Sequence, residues 1–321
     1  MKPIVTLTLN PSIDAACQAD TVQPIHKIRT SGERFDAGGG GINVARVIRE
    51  LGGDALAVYF AGGITGKALN EMVEADGLPC RSIQIAGMTR ISNVVYERSS
   101  GLEYRFVPSG PHLDQSELDR CLAEIATLDA DYVVVSGSVP SSVSSDFYVE
   151  VGKVVTGAGG RLVLDTSGEA LHHTLAQGVY LVKPNLRELE SLAGRPLLSS
   201  DEQAAAAQEL VAAGNAEIVT VSLGAEGALL ATSAGCQWLR GPQVEVKSAV
   251  GAGDSFVGAM TLGLAQGRPP EDALALAVAT GTATVLTMGT ELCRRSDVER
   301  IYQRLLADRE TGAHIRPTSE A

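Results

Sequence analysis

Short apolar runs, each followed by polar or glycine-rich residues, recur along most of the chain and predict its strands. These runs cover residues 4–9, 56–60, 132–135, 162–164, 180–182, 218–221 and 228–231. Segments with helical spacing of apolar residues lie between most of them and cover residues 42–51, 66–75, 116–128, 144–156, 186–193, 201–213, 253–266, 270–284 and 296–307. The last two runs follow each other closely and indicate a hairpin. The alternation elsewhere predicts a mostly parallel sheet that helices cover on both faces.

Polar turns follow the predicted strands of the second half of the chain, at residues 136–138, 165–168, 183–185 and 222–224. The carboxyl ends of parallel strands meet at one edge of a sheet, and ligands of such proteins bind there. We therefore expect the functional site at this edge. Asp14 follows the first run and could simply form a turn after Asn-Pro-Ser, but its position at the same edge favours a role in binding.

Two segments, residues 15–37 and 83–107, alternate loosely between polar and apolar positions and contain little core material. Such segments make poor central strands. We predict that they form one projecting flap of strands, which carries Arg90 and Arg105. The alternative is an exposed hairpin whose arginines are merely solvated.

The stretch Val-Gly-Ala-Gly-Asp-Ser at residues 250–255 precedes a run of small residues with helical character. The start of a helix leaves backbone N–H groups without internal partners, and the glycines let an anion approach them closely. Asp254 can accept a proton from a hydroxyl that attacks a phosphoryl group, or it can cap the helix. If it is a base, the positive end of the helix dipole should keep it ionised.

Two common glycine motifs fail in this chain. A dinucleotide fingerprint that starts in the glycines 38–41 would need its third glycine at Asn43 or the next residue, and no apolar strand precedes it. A P-loop near residues 66–67 would place alanine, Ala61 and Ala68, at its first and last positions. Both motifs are therefore excluded.

The overall charge and the cysteines narrow the class of partner. The 321 residues carry a formal net charge of −12, which disfavours nucleic acid and anionic membranes as partners. No apolar run approaches the length of a membrane span, and the N-terminus is too regular for a signal peptide. The five cysteines are widely spaced and no histidine has metal-binding spacing, so we expect a reducing cytosol and no structural metal. A small anionic ligand would need a local cluster of Lys and Arg.

The residues 38–46, Gly-Gly-Gly-Gly-Ile-Asn-Val-Ala-Arg, and 250–259, Val-Gly-Ala-Gly-Asp-Ser-Phe-Val-Gly-Ala, resemble the two signatures of the PfkB or ribokinase-type sugar kinases. The resemblance extends over residues 4–307 and is strongest to the phosphofructokinase and tagatose-6-phosphate kinase branch. It implies a ribokinase-like three-layer α/β/α sandwich with a mostly parallel sheet and a small β-sheet lid. The implied core comprises residues 1–10, 37–86 and 110–308, the lid 11–36 and 87–109, and a loose tail 309–321. In many relatives the lid forms a homodimer interface.

The implied activity is the ATP-dependent phosphorylation of a phosphosugar in the cytoplasm, from fructose 6-phosphate to fructose 1,6-bisphosphate. Tagatose 6-phosphate and fructose 1-phosphate are alternative acceptors for the same machinery. A non-catalytic sugar or nucleotide sensor is an alternative of a different class, but such a protein could have lost Asp254. A nucleoside or pentose kinase would not need Arg90 and Arg105, because a neutral sugar gives them no charge to bind.

The resemblance also assigns roles to individual residues. The catalytic base would be Asp254, and the anion hole would consist of the amides of Gly251, Ala252 and Gly253. The residues matching those that hold the sugar hydroxyls are Asp14, Gly39, Gly40 and Asn43. Those near the sugar phosphate are Arg90, Arg105 and Ser138, with Lys27 of the lid within possible reach. The residues near the nucleotide phosphates and Mg²⁺ are Lys183, Asn185 and Glu188, the last contacting the metal through water. The lining of the nucleotide pocket would include Ser222, Gly224 and Gly227.

Two more of these residues could have a purely structural role. Glu188 stands in the first turn of a helix, where an acid is stabilising in any case, and Lys183 could be a solvated turn residue. One departure from the family pattern is Ala249, where relatives usually carry Ser, Thr, Pro or Val. It weakens any inference about K⁺, which some relatives bind nearby through backbone carbonyls.

Overall fold

The computed structural model describes residues 2–310. The strands are β1 (Ile4–Thr8), β2 (Ser12–Ala19), β3 (Thr30–Gly38), β4 (Ala55–Gly62), β5 (Cys80–Ile85), β6 (Arg90–Glu97), β7 (Glu103–Phe106), β8 (Tyr132–Ser136), β9 (Arg161–Asp165), β10 (Val179–Val182), β11 (Ala216–Ser222), β12 (Ala228–Thr232) and β13 (Gly235–Leu239). The helices are α1 (Gly40–Glu50), α2 (Gly63–Ala75), α3 (Gln115–Ala126), α4 (Phe147–Gly157), α5 (Gly168–Leu175), α6 (Leu186–Ala193), α7 (Ser200–Ala212), α8 (Ala252–Ala265), α9 (Pro270–Val285) and α10 (Arg295–Glu310). None of the helices in this part of the chain has the length and hydrophobicity to cross a membrane.

The larger sheet has the strand order β13-β12-β11-β10-β9-β8-β1-β4-β5. The strands from β5 to β11 in this order are parallel, and β12 and β13 are antiparallel additions at one edge. From β1 the chain proceeds outward through β4 and β5, and it later resumes with β8 on the other side of β1. The strand order therefore reverses between β1 and β8, which is where open α/β sheets form their binding crevice.

Helices cover both faces of this sheet and make the predicted α/β/α sandwich. Buried residues of α1, α2, α8, α9 and α10 form one hydrophobic layer with the sheet, and those of α3 to α7 form the other. Side chains alternate between the two layers along a strand. Val133 and Val135, for example, pack in one layer and Val134 between them packs in the other. Apolar residues on both faces explain why these strands are continuous apolar runs in the sequence.

A smaller sheet, with the order β3-β2-β6-β7, stands apart from the sandwich. β2 and β6 run parallel and the outer strands are antiparallel to them. Asp36 at the end of β3 joins this sheet to the loop after α9, because its carboxylate accepts hydrogen bonds from Thr290 and from Arg34. Arg34 is also 3.8 Å from a carboxylate oxygen of Glu291 in that loop.

The predicted elements are present with small differences at their ends, and the predicted hairpin is β11–β12. The assignment of all of residues 83–107 to the flap was wrong, because β5 is the edge strand of the larger sheet, parallel to β4. An edge strand has one covered face, so its alternating pattern resembles that of the flap. The segments α5 and β13 were not predicted, since both are short and β13 has few strongly apolar residues. Residues 309 and 310 of the predicted tail are the last turn of α10, and residues 311–321 lie outside the described residues.

Helix α1 lies unusually close to β1, and Gly41 makes this possible. A Cβ atom at this position would lie 2.5 Å from Thr8 Oγ1 and 2.7 Å from the backbone oxygen of Leu7. We expect Gly41→Ala to lower the free energy of unfolding by about 1–3 kcal/mol, because backbone atoms cannot move aside. Gly157→Ala is the matched control, since a Cβ there meets no atom within 4 Å. Equal denaturant midpoints for the two variants would contradict this account.

Candidate active site

The turn that begins α8 has the geometry of an anion site. Gly251 is the N-cap residue and adopts the left-handed conformation at φ 74°, which favours glycine. The first intrahelical hydrogen bond runs from the Ser255 N–H to the Gly251 oxygen at 2.9 Å, and the Ala252 N–H donates to the Ala249 oxygen at 3.4 Å, ahead of the helix. The amides that precede Ser255 therefore make no intrahelical hydrogen bond. No side chain caps this helix. The capping alternative for Asp254 is therefore excluded.

Asp254 lies half-buried in the first turn and accepts a hydrogen bond from Asn43 Nδ2 at 2.8 Å. Burial, followed by the charge of Asp165, raises its pKa from 3.8 to about 7. The Asn43 hydrogen bond and the positive charge of Lys183 lower the pKa of Asp254, but they offset the rise only in part. The expectation that the helix N-terminus keeps Asp254 ionised was wrong for pH values below about 7, because burial and the charge of Asp165 raise its pKa.

Lys183 is the cation of the site and lies at the end of β10. It is 5% exposed and its ammonium nitrogen is 3.1 Å from Asp165 Oδ1. Burial alone would lower the pKa of Lys183, but the charges of Asp165, Glu188 and Asp254 reverse this and raise it. Lys183 is therefore a buried ammonium group, which excludes the solvated-turn alternative. A Cβ atom on Gly253 would lie 3.8 Å from the ammonium nitrogen, so the cation stands beside the α8 turn.

Asp165 was not predicted as a site residue. It ends β9 and accepts a hydrogen bond from Ser136 Oγ, at the end of β8, at 3.1 Å. The polar turn that it begins was visible in the sequence, and the same signal identified Asp14 and Lys183. What the sequence did not show was which of several polar turn residues would face the buried lysine.

The residues predicted to hold the acceptor include Asp14 near the start of β2 and the glycines that lead into α1. Burial raises the pKa of Asp14, and the hydrogen bond from Ser12 Oγ at 2.6 Å opposes this only in part. Gly39 has φ 116°, and a Cβ on it would contact Thr8 and Pro11. A Cβ on Gly40 would collide with Ser136. The two glycines therefore let the backbone lie directly against the ends of β1 and β8, where a side chain would collide with Thr8 or Ser136.

Arg90 at the start of β6 is held without a carboxylate partner. Its two terminal nitrogens donate to the backbone oxygens of Pro108 at 2.9 Å and Asn10 at 2.8 Å, and its buried Nε–H has no partner among the described residues. Burial lowers its pKa, and the charge of Asp14 opposes this. No ion pair in the described part of the chain involves Arg90. Its charge therefore remains available for an anionic ligand.

The remaining predicted acceptor-side residues differ in position. Ser138 is exposed after β8 and accepts a hydrogen bond from Asn10. Arg105 on β7 is exposed and close enough to Asp14 to lower that pKa. Lys27 lies on the exposed loop between β2 and β3, and within residues 2–310 it forms no hydrogen bond or ion pair with these residues. Its role in phosphate binding stays a prediction.

Asn185 and Glu188 form a capping box at the start of α6. The Asn185 N–H donates to Glu188 Oε2 at 2.8 Å, and the Glu188 N–H donates to Asn185 Oδ1 at 3.0 Å. These bonds give both residues a structural role, in agreement with the stabilising first-turn acid. Burial nevertheless raises the pKa of Glu188, and the charge of Lys183 lowers it. A second role beside a cation is therefore compatible with its position.

A cleft of about 360 Å³ extends from the α8 turn. Its lining is mostly apolar and includes the three predicted residues of the nucleotide pocket as well as the start of α8: Ser222, Gly224, Gly227, Ala252, Gly253, Phe256, Val278 and Val285. Gly227 has φ 102°, and a Cβ there would collide with the backbone of Leu239 and Gly241. An apolar cleft that ends at an anion site suits a ligand with a flat apolar group and a charged tail. Among the described residues, no group of three or more His, Cys, Asp and Glu is arranged to hold a metal.

Comparison with known proteins agrees with this geometry. Residues 7–297 match the family model described as pfkB family carbohydrate kinase. The ATP-dependent 6-phosphofructokinase isozyme 2 of Mycobacterium tuberculosis is 43% identical over 96% of this chain and 91% of its own length. The protein of the same name from Escherichia coli is 40% identical over 94% of this chain and 98% of its own.

The solved structures give the same result. The structure of Escherichia coli phosphofructokinase-2 in complex with fructose-6-phosphate aligns with a TM-score of 0.89 at 39% identity, covering 95% of this chain and 100% of that one. More distant relatives include the 1-phosphofructokinase of Bacillus subtilis, which is 33% identical over 90% of this chain and 95% of its own. The ribokinase-like fold is thereby confirmed.

The raised pKa of Asp254 predicts a pH-dependent stability. Between pH 3.8 and about 7 the folded protein holds a proton that the unfolded chain releases, so this contribution to stability is lost as the pH rises through that window. Asp254→Asn cannot titrate. We therefore expect the variant to gain stability relative to the wild type as the pH rises from about 4 to about 7, with a constant difference at higher pH. Denaturant unfolding across this range measures the difference, and a difference independent of pH would contradict the assignment.

Proposed function

The chain belongs to the pfkB family of carbohydrate kinases, and we propose that it transfers the γ-phosphoryl group of ATP to the 1-hydroxyl of fructose 6-phosphate, giving fructose 1,6-bisphosphate and ADP. One observation carries the choice of a phosphorylated acceptor. Arg90 is half-buried, and neutral backbone oxygens hold its guanidinium without a direct carboxylate ion pair, beside the residues predicted to bind the acceptor. A phosphate on the acceptor would pair with this guanidinium directly, whereas a neutral sugar would bring no charge to it. Two relatives at 40% identity or more are named as 6-phosphofructokinases.

The proposed chemistry uses Asp254 as the base. As the acceptor oxygen bonds to the γ-phosphorus and the bond to ADP breaks, the hydroxyl proton passes to the carboxylate. A loose transition state allows late proton transfer, so the position of the carboxylate matters more than its basicity. The Asn43 hydrogen bond supplies this position. A pKa of about 7 also matches the base to neutral pH.

The charge that develops on the transferred phosphoryl group would be stabilised by preorganised donors. The amides of Gly251, Ala252 and Gly253 lie at the start of α8, where Ala252 makes only a long hydrogen bond of 3.4 Å to the Ala249 oxygen, and Lys183 stands next to them. Each donor of this kind typically contributes about 3–4 kcal/mol to transition-state stabilisation. These groups belong to rigid helix and strand ends, so they need little reorganisation during the reaction.

The nucleotide would occupy the apolar cleft, with its phosphates at the α8 turn. Mg²⁺ neutralises phosphate charge in such reactions and is usually held by one or two carboxylates together with phosphates and water. Glu188 fits this role through water, because a nearby cation would stabilise its half-buried carboxylate. We extend the proposal to K⁺ held by backbone carbonyls near Ala249, because Escherichia coli phosphofructokinase-2 was solved in complex with potassium.

We also propose that the smaller sheet pairs two copies of the chain. Phe35, Ala15, Asn93 and Phe106 are register partners and form one row across its four strands. Phe35 and Phe106 are 61% and 56% exposed, so the row leaves large apolar groups in water. A homodimer would cover them. The Escherichia coli relative has an inhibited form that is described as tetrameric.

We also propose a cytoplasmic location, with which the free cysteines agree.

Tagatose 6-phosphate and fructose 1-phosphate are the close alternative acceptors, because the same machinery would serve them. A non-catalytic sensor is disfavoured, since a sensor needs no carboxylate with a pKa of about 7 beside a buried lysine. ADP release measured with fructose 6-phosphate, tagatose 6-phosphate, fructose 1-phosphate and unphosphorylated fructose tests the proposal. We expect the highest kcat/KM for fructose 6-phosphate and the lowest for fructose. A preference for fructose, or no turnover at all, would contradict it.

Asp254→Asn should reduce kcat by about 10²–10⁴, because the amide cannot accept the proton in the transition state. The binding constants for ATP and the phosphosugar, measured by calorimetry, should change little. Asp129→Asn is the control, since this exposed carboxylate pairs with Lys2 and precedes β8 at the opposite edge of the sheet. An unchanged kcat in the Asp254 variant would remove it as the base.

A further inference from the structure

Asn10 is a buried polar residue of the acceptor side that the proposed chemistry does not use. It follows β1 and is 4% exposed. Its side-chain amide donates to the Ser109 backbone oxygen at 2.9 Å and to Ser138 Oγ at 3.3 Å. Because the Ser109 acceptor is a carbonyl, the nitrogen of the amide must face it. The orientation of this side chain is therefore defined.

The hydrogen bonds of Asn10 close a ring around Arg90. The Asn10 backbone oxygen accepts from one terminal nitrogen of Arg90, and the Pro108 backbone oxygen accepts from the other. Ser109 follows Pro108 in the chain, and its oxygen accepts from the Asn10 side chain. Each member of the ring thus fixes the next. Without the Asn10 amide, Pro108 would be linked to the Asn10 backbone only through Arg90 itself, and one of the two acceptors of the guanidinium would be held less firmly.

Gly110 lies directly against the other atom of the amide. Its φ of 97° favours glycine, and a Cβ there would collide with Asn10 Oδ1. Oδ1 is buried and has no hydrogen-bond partner among the described residues. An uncompensated buried amide oxygen is unfavourable for stability. The amide is therefore better explained by its two donated bonds than by its contribution to the fold.

We propose that Asn10 is a positioning residue that aims the Arg90 guanidinium and Ser138 at the phosphate of the acceptor, and thereby selects phosphorylated over unphosphorylated sugars. The inference rests on the proposed function, because it assumes a phosphosugar acceptor. Asn10 acts through Arg90 and Ser138 and does not touch the reacting atoms. A shift in the guanidinium should weaken phosphosugar binding and leave the nucleotide side unchanged.

The test is a double-mutant cycle with Asn10→Ala and Arg90→Ala, using the phosphosugar that the wild type phosphorylates with the highest kcat/KM. Asn10→Ala should raise the KM for this phosphosugar about tenfold or more, with kcat and the KM for ATP within about twofold of the wild type. On the Arg90→Ala background, the same substitution should raise the KM less than about twofold, because its effect passes through Arg90. Asn10→Leu, which is close in shape and removes both donors without adding a charge beside Arg90, replaces Asn10→Ala if that variant does not fold.

Thr6→Val is the matched control, because Thr6 is a fully buried residue of the preceding strand whose hydroxyl has no hydrogen-bond partner among the described residues. Its KM values should equal those of the wild type. Multiplicative effects of Asn10 and Arg90, or an equal rise in the KM for ATP, would overturn the inference while leaving the proposed function intact. A wild type that accepts none of the phosphosugars would overturn both.

Discussion

The site depends on one buried cation shared among several carboxylates. Lys183 pairs directly with Asp165 and also interacts with Glu188 and Asp254. Each of these groups would be strongly destabilised if it were buried alone. Their mutual attraction offsets most of the cost of burial, but one positive charge cannot compensate all three carboxylates. Asp254 is the least compensated, so burial raises its pKa to about 7 and makes it suitable for proton transfer.

The same constraint explains why the site lies where the strand order reverses. The strand order reverses between β1 and β8, and the glycines at the start of α1 bring the backbone close to the ends of both strands without a side chain in between. The ends of β8, β9 and β10 supply polar groups to one wall, and the start of α8 supplies amides to the other. Burial on both faces makes the sheet rigid, which holds these groups in place without support from loops.

The polar turns of the sequence indicated this edge of the sheet, because the carboxyl ends of parallel strands coincide whatever their order in the chain. Asp254 was singled out by its glycine motif, whereas the roles of Lys183 and Asn43 were implied by the resemblance to the sugar kinases. The pairing of Lys183 with Asp165 could not be predicted from the sequence, since it depends on which turn residues face inward. The raised pKa of Asp254 was also missed, because desolvation is a property of the packed molecule. The role of Asn10 depends on a loop almost 100 residues away, for which the apolar pattern contains no signal.

The division of the crevice between the two halves of the chain has an evolutionary consequence. The acceptor wall comes from the strands and loops before residue 139, whereas the cleft for the second ligand comes from residues 222–285. Substitutions that reshape one wall can therefore accumulate while the other stays under selection. Divergence within such a family is then expected to proceed by modules, with new acceptors arising from changes in the first half of the gene and the donor retained.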